Sequence, residues 1–425
     1  MNKNNLLEII ADQRKLSLPQ TAVQRTAYAA IGALRPSKQI LIISGLRRSG
    51  KSTLLQLIRA ASPESDFYIN FDDERLLHFS VEDFQMLWEA FIELYGEQKS
   101  FYFDEIQNIR GWERFARRLH DMGKEVFITG SNASMLSKEL GTHLTGRHIQ
   151  LELYPFSFRE YLEFKNVKIS NANAYSTVEK AVAQRLFRSY CIEGGLPEFL
   201  KNSRAEYLQS LYESILYRDI IVRHKLTHER PIKELVHFLA SNIGKEVSYN
   251  NMKSLIGVSS ASTVSEYCSY LEDSFLSFFI NSFDFSLKKQ IRYNKKQYFI
   301  DPALAQAVGF RMSADQGRIL ENMVFLELKR RGKEVYFHAG KKECDFIIRQ
   351  SGTVVQAVQV ASSLDSSVTR QREFDGLLAA MAEYGLKTGL ILTEDQEGQQ
   401  RVQLDGRKYA ISIKPIWKWL LFDEN

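Results

Sequence analysis

A chain of 425 residues exceeds one ordinary hydrophobic core, so two or three domains are expected. Its 44% hydrophobic and 25% charged residues are the balance of a soluble globular protein, and a net charge of +5 with a pI near 8.8 permits nucleic-acid binding without arguing for it. Three scattered cysteines exclude a disulfide framework, and the absence of both a leader-like start and an apolar run near the roughly 20 residues that cross a bilayer predicts a cytoplasmic protein with no membrane partner.

Apolar positions at helical spacing, Leu6, Ile9 and Ile10, then Ala27, Ala30 and Leu34, predict one or two helices over residues 5 to 34. Ile40-Leu41-Ile42-Ile43-Ser44 predicts a buried strand. It runs into Gly45-Leu46-Arg47-Arg48-Ser49-Gly50-Lys51-Ser52-Thr53, a complete G-x-x-x-x-G-K-[ST] phosphate loop. Leu54, Leu55, Ile58 and Ala61 then share one helical face. Strand, glycine loop and helix aim successive N–H groups and a helix N-terminus at phosphate oxygens. Gly45, Arg47, Arg48, Ser49, Gly50, Lys51, Ser52 and Thr53 are therefore the expected nucleotide-binding residues, with a nucleoside triphosphate and Mg²⁺ as ligands. Lys51 reaches the β- and γ-phosphates in such a loop, and the Ser52 hydroxyl completes the metal shell.

Asp66 to Arg75 begins as a strand; Asp72 and Asp73 at its acidic end assist the metal or form a solvated turn, the turn being favoured. Ser100-Phe101-Tyr102-Phe103 runs into Asp104-Glu105-Ile106-Gln107-Asn108, the Walker B arrangement, roughly 50 residues beyond the phosphate loop. Asp104 is expected to hold Mg²⁺ and Glu105 to polarise the attacking water as general base. Trp112, Phe115 and Leu119 mark an amphipathic helix. Glu125 to Asn132 is a third strand, whose Ser131 or Asn132 serves as a γ-phosphate sensor, as a helix cap, or as both. Arg147 is the candidate cation for the charge of the transferred phosphoryl group, in cis or from a neighbouring subunit, with Arg47, Arg48 and Arg159 as competitors.

The phosphate loop, the Phe103–Gln107 box, Thr129-Gly130-Ser131-Asn132, Thr145-Gly146-Arg147 and Pro155-Phe156-Ser157-Phe158-Arg159-Glu160-Tyr161 together resemble one family. It is the prokaryotic AAA-type (AAA+) P-loop ATPases with a C-terminal domain of unknown function related to PD-(D/E)xK nucleases. The resemblance extends over nearly the whole chain. It implies an α/β fold: a P-loop NTPase parallel sheet with helices on both faces, then a helical and winged-helix domain, then a small α/β nuclease-like domain. The expected boundaries are 1–160, 161–305 and 306–425.

Residues 162 to 240 read as mostly helical, broken by Gly194-Gly195-Leu196-Pro197, a tight turn that is also similar to one in the family. Arg218 and Asp219 are surface charges or face the nucleotide, and the residues do not decide which. From Ile232 to Leu276 the pattern suggests helix-turn-helix, with Ser248 as a cap, Gly257 in the turn, and a Ser/Thr/Tyr-rich second helix. Phe278-Phe279-Ile280 and Gln297-Tyr298-Phe299-Ile300 suggest wing strands. They are joined by Lys288, Lys289, Arg292, Lys295 and Lys296 with interleaved aromatics, which suits phosphate contact as well as a solvated wing.

Gly317 to Leu328 predicts an amphipathic helix, followed by strands at Glu334–His338, Glu343–Ile348 and Val354–Val360. This order resembles the PD-(D/E)xK core, in which a helix acid, an aspartate and an E-x-K triplet hold Mg²⁺. Glu321 and Asp345 match the first two positions; the triplet reads Gln359-Val360-Ala361, an amide and a methyl group where a carboxylate and an ammonium belong. Hydrolysis of nucleic acid is not expected unless another lysine reaches in. The leading expectation is an ATPase that drives or switches conformation, with double-stranded DNA as a partner through the winged helix and C-terminal domain, as a homo-oligomer or as a monomeric switch. The alternatives are an ATP-gated nuclease and a nucleotide-state regulator or scaffold for a protein partner.

Overall fold

The computed structural model describes residues 1–15, 22–34, 39–62, 67–131, 144–170, 176–310 and 316–423. Among them the chain divides into two compact units, Met1–Pro155 with Asp273–Phe275, and Phe156–Glu272 with Leu276–Asn425.

The first unit is built on five strands: β1 (Ile40–Ser44), β2 (Phe67–Asn70), β3 (Ser100–Asp104), β4 (Glu125–Gly130) and β5 (His148–Glu152). They form one sheet in the order β2-β3-β4-β1-β5, and every pair is parallel. Strands β1 and β3 are buried along their whole length, as a parallel sheet covered on both faces requires. Alternate residues serve opposite layers. Ile40, Ile42, Phe67, Ile69, Phe101, Phe103, Val126 and Ile128 pack with the helices Lys3–Arg14, Phe84–Tyr95 and Trp112–Asp121. Leu41, Ile43, Tyr68, Tyr102 and Phe127 pack with Leu54, Leu55 and Ile58 of the helix Lys51–Ala60. Stacked rings, Phe67 on Phe91 at 4.8 Å and Phe84 on Phe115 at 4.5 Å, fix the first layer. Because all strands run the same way, the loops after β1, β3 and β4 emerge at one edge.

The second unit opens with the helix Phe158–Phe164, started by a Ser157–Glu160 capping box. The helix Thr177–Glu193 ends at Gly194, and Pro197 starts the next, so the Gly-Gly-Leu-Pro stretch is a turn. Only glycine fits at 195: a Cβ there would stand 2.3 Å from the Phe156 carbonyl oxygen, while the Gly195 N–H donates to Asp301 at 2.7 Å. Asp219 is buried and Arg218 is exposed.

Three helices, Arg230–Ser241, Tyr249–Leu255 and Ala261–Asp273, then accompany β6 (Glu246–Val247), β7 (Ser277–Asn281) and β8 (Lys295–Phe299) in an antiparallel sheet of order β6-β8-β7. Ser248 stands at the N-cap position but its side chain makes no cap hydrogen bond, in contrast to the sequence expectation. The link between β7 and β8 contains a short helix, Leu287–Arg292.

The C-terminal part holds β9 (Glu334–Ala339), β10 (Glu343–Gln350), β11 (Thr353–Val360), β12 (Thr388–Thr393), β13 (Gly398–Leu404) and β14 (Arg407–Pro415) in the order β13-β14-β12-β11-β10-β9. Pairs β11–β12 and β12–β14 are parallel and the others antiparallel. The helix Ser367–Glu383 covers this sheet through Phe374, Leu377, Leu378 and Met381. The Phe283 N–H donates to the Phe337 carbonyl at 2.8 Å, tying the end of β7 to β9.

Candidate functional site

The phosphate loop lies between β1 and the helix Lys51–Ala60. Arg48 and Gly50 adopt left-handed backbone, with φ of 62° and 98°, which curls the loop. A Cβ at Gly45 would lie 2.2 Å from the Leu153 carbonyl oxygen, so glycine alone lets the loop start against the end of β5. The Arg25 guanidinium, itself buried, donates to the Ser49 and Tyr154 carbonyls and braces the loop from outside. Arg25 was not among the residues the sequence motifs single out. A loop-bracing arginine has no fixed spacing from the loop it holds.

Lys51 is 3% exposed; its ammonium donates to the Leu46 carbonyl at 3.0 Å and lies 3.8 Å from Glu105 Oε1. The Ser52 hydroxyl donates to Asp104 Oδ1 at 3.0 Å. The Thr129 hydroxyl donates to the same oxygen and accepts from the Glu105 N–H at 3.0 Å. Thr129 therefore couples β4 to both acids at the end of β3. In the sequence it appears only as the first residue of the Thr129-Gly130-Ser131-Asn132 run, with no role attached. Glu105 has φ of 52°, a left-handed turn that leads its side chain back beside Lys51, and Gln107 Nε2 donates to Glu105 Oε2 and to Ser131 Oγ.

Fit to a nucleotide and its metal follows from these atoms. The Ser49 hydroxyl is buried and has no hydrogen-bond partner among the described residues, and it lies in the same curled backbone as Gly50 and Lys51. Ser52 and Asp104 present a hydroxyl and a carboxylate oxygen 3.0 Å apart, the donor set for Mg²⁺. Burial, and then the charge of Glu105, push the Asp104 carboxyl up to about 6, against the hydrogen bonds from Thr129 and Ser52. A proton and a metal ion at this carboxylate would compete. Mg²⁺ affinity measured without nucleotide is expected to fall about tenfold per pH unit below about 6 and to level off above it. The stability contribution has the opposite sign: the folded value exceeds the ordinary 3.8, so ionising Asp104 without a cation costs stability as pH rises through about 6.

The other expected residues divide. Arg47 is half-buried and Arg48 exposed in the loop, and Thr53 is half-buried at the helix start. Asn132 lies outside the described residues. Asp73 is held by Arg75 and Gln13 and caps a short helix, which draws its carboxyl down to about 2 and supports the turn reading. Arg147 is not at its own chain's phosphate loop. The parallel register pairs His148 with Ile40 and Glu152 with Ser44, so Arg147 sits at the far end of β1, about 15 Å from the loop at ~3.3 Å per residue. There it pairs with Asp121 at 3.1 Å. Arg159 is engaged within the second unit, donating to the Leu421 carbonyl.

Glu321, Asp345 and Gln359 come together in the second unit, joined by a residue the sequence placed elsewhere. Lys296 of β8 is 2% exposed, and its ammonium lies 2.7 Å from Glu321 Oε1, 2.9 Å from Asp345 Oδ1 and 2.8 Å from Glu343 Oε1. The expectation of Lys296 as a phosphate-contacting wing residue is therefore corrected: period-two alternation turns it and Tyr298 inward together. Burial opposes its charge, but Asp345 and Glu321 outweigh burial and hold its pKa well above the usual lysine value. Burial, then Asp345, push the Glu321 carboxyl up to about 7. The Gln359 amide oxygen accepts from the Asp345 N–H at 3.2 Å and its nitrogen donates to Glu373.

Residues 37–162 match the family described as AAA domain, residues 184–316 a domain of unknown function (DUF8612), and residues 316–416 a domain of unknown function (DUF4143). The uncharacterized protein MJ1544 of Methanocaldococcus jannaschii is 34% identical over 97% of this chain and 94% of its own length. An uncharacterized protein of Haemophilus influenzae is 32% identical over 90% of this chain and 94% of its own. Among solved structures, the Walker-type ATPase PABY2304 of Pyrococcus abyssi aligns with a TM-score of 0.45 and 16% identity, over 68% of this chain and 96% of that one.

Proposed function

The chain belongs to the same family as the Methanocaldococcus jannaschii protein MJ1544, and we propose that its first unit binds MgATP and hydrolyses it to switch conformation. The observation that carries the proposal is the network in which Lys51, Ser52, Asp104, Glu105 and Thr129 meet at the end of the parallel sheet. Lys51 balances charge on the β- and γ-phosphates, and the loop N–H groups orient them. Ser52 and Asp104 would hold Mg²⁺, which would supply neutralisation of the charge on the phosphate oxygens. Glu105 takes the proton of the water that attacks the γ-phosphorus as ADP leaves, and Thr129 fixes the backbone from which Glu105 projects. The position of Arg147 at the opposite end of β1 favours a contribution from a neighbouring copy over one in cis.

Double-stranded DNA is the partner this reading couples to turnover. The element order helix, strand, helix, helix, strand, short link helix, strand with sheet order β6-β8-β7 supports a winged helix. Its link helix carries exposed Lys288, Lys289 and Arg292 beside exposed Phe285 and Ile291, while the helix Ala261–Asp273 exposes Ser262, Ser265 and Glu266. Cations on the wing and none on that face favour phosphate contact over base readout. Steady-state ATP hydrolysis is expected to rise with duplex DNA and to lose that rise in Lys288→Glu/Lys289→Glu/Arg292→Glu. Turnover indifferent to DNA in both proteins would refute the coupling and point to a protein partner.

A further inference from the structure

The ammonium of Lys296 has three N–H donors and three carboxylate acceptors within 2.9 Å, on Glu321, Asp345 and Glu343. Lys296, Glu321 and Asp345 are buried, so these are charge-assisted bonds shielded from water. A divalent cation on Glu321 Oε1 and Asp345 Oδ1 would need bonds of about 2.0–2.6 Å to the same two oxygens, which would set it against the ammonium at contact distance. The neighbouring donors are also committed. Asp345 Oδ2 accepts from the Val360 N–H at 2.9 Å, and the Gln359 oxygen is taken by the Asp345 N–H. Among the described residues no group of three or more His, Cys, Asp or Glu is placed to hold a metal ion.

We propose that the Lys296 ammonium is the resident cation of this carboxylate cluster, a covalently tethered substitute for a divalent metal, and that it clamps the β6-β8-β7 sheet to the C-terminal sheet. The cation arrives on β8, whereas its partners lie on the helix Gln316–Arg330 and on β10, so the cluster joins parts of the chain separated in sequence. The residues do not fit the metal-assisted hydrolysis that Glu321 and Asp345 alone would suggest. They fit a structural ion lock with a latent metal site beneath it. Removing the lysine leaves two buried carboxylates facing one another, a donor set that gathers a divalent cation.

Mn²⁺ binding by the full chain tests this, with Asp104→Asn in every protein to silence the phosphate-loop site. The parent is expected to bind no Mn²⁺ at millimolar concentration by electron paramagnetic resonance. Lys296→Ala is expected to bind one equivalent, to lose it on adding Asp345→Asn, and to gain thermal stability when Mn²⁺ is present. One equivalent bound by the parent and lost on Asp345→Asn would overturn the proposal. So would a folded Lys296→Ala that binds none. If Lys296→Ala fails to fold, the parent and its Asp345→Asn variant still decide: equal absence of binding supports the lysine as resident cation, and Asp345-dependent binding refutes it.

Discussion

Glu105→Gln is expected to bind ATP as the parent does and to hydrolyse it about 10²–10⁴-fold more slowly, the span over which a positioned general base contributes. The amide keeps the size of the side chain and still reaches Gln107, so the loop geometry survives. It cannot take a proton. The substitution also removes the negative charge that lies 3.8 Å from Lys51 and helps raise the Asp104 carboxyl. Nucleotide affinity is therefore expected to hold or tighten while turnover collapses. Equilibrium binding of a labelled ATP analogue beside phosphate release separates the two effects, and parent-like turnover would remove Glu105 from the base role.

The largest effect on stability is expected at Lys296. Lys296→Met keeps the length of the side chain and deletes the charge, leaving Glu321 and Asp345 buried without their cation; breaking a buried ion pair from one side costs about 3–5 kcal/mol. Two units make a single unfolding midpoint ambiguous, so the readout is amide hydrogen exchange in β8 and β10. The defect has a pH signature. Burial, then Asp345, already hold the Glu321 carboxyl up at about 7 with the lysine present, and losing the lysine raises it further; protonating it relieves the uncompensated charge, so the loss shrinks as pH falls. Unchanged protection in both strands at pH 8 would contradict the ionic clamp.

What could be read from the sequence was what is local. The phosphate loop, the strand before it and the helix after it are contiguous, and their glycine spacing and apolar runs dictate one conformation. The run Ser100–Asp104 likewise fits only a strand buried on both faces. The rest turned on register and distant packing. Whether Arg147 serves its own loop or a neighbour's is not written in its glycine turn; parallel pairing of His148 with Ile40 sets it at the far edge of the sheet from its own phosphate loop. Lys296 stands in a basic stretch, and nothing within it distinguishes a solvated wing lysine from one turned inward; the acids that claim it lie 25 to 49 positions further along the chain. Arg25 was missed, and Thr129 was named without a role, for the same reason: each acts by bonding a segment remote in sequence. Strand β13 escaped notice because, exposed and polar, it carries no apolar run.

The most direct test of an ATP-hydrolysing first unit is steady-state phosphate release by the full chain with ATP and Mg²⁺, using Lys51→Ala as the blank. The account predicts Mg²⁺-dependent release by the parent that falls to the blank's level when Lys51 is removed or the metal is chelated. Release that is absent in the parent, or equal in the parent and Lys51→Ala, would contradict it.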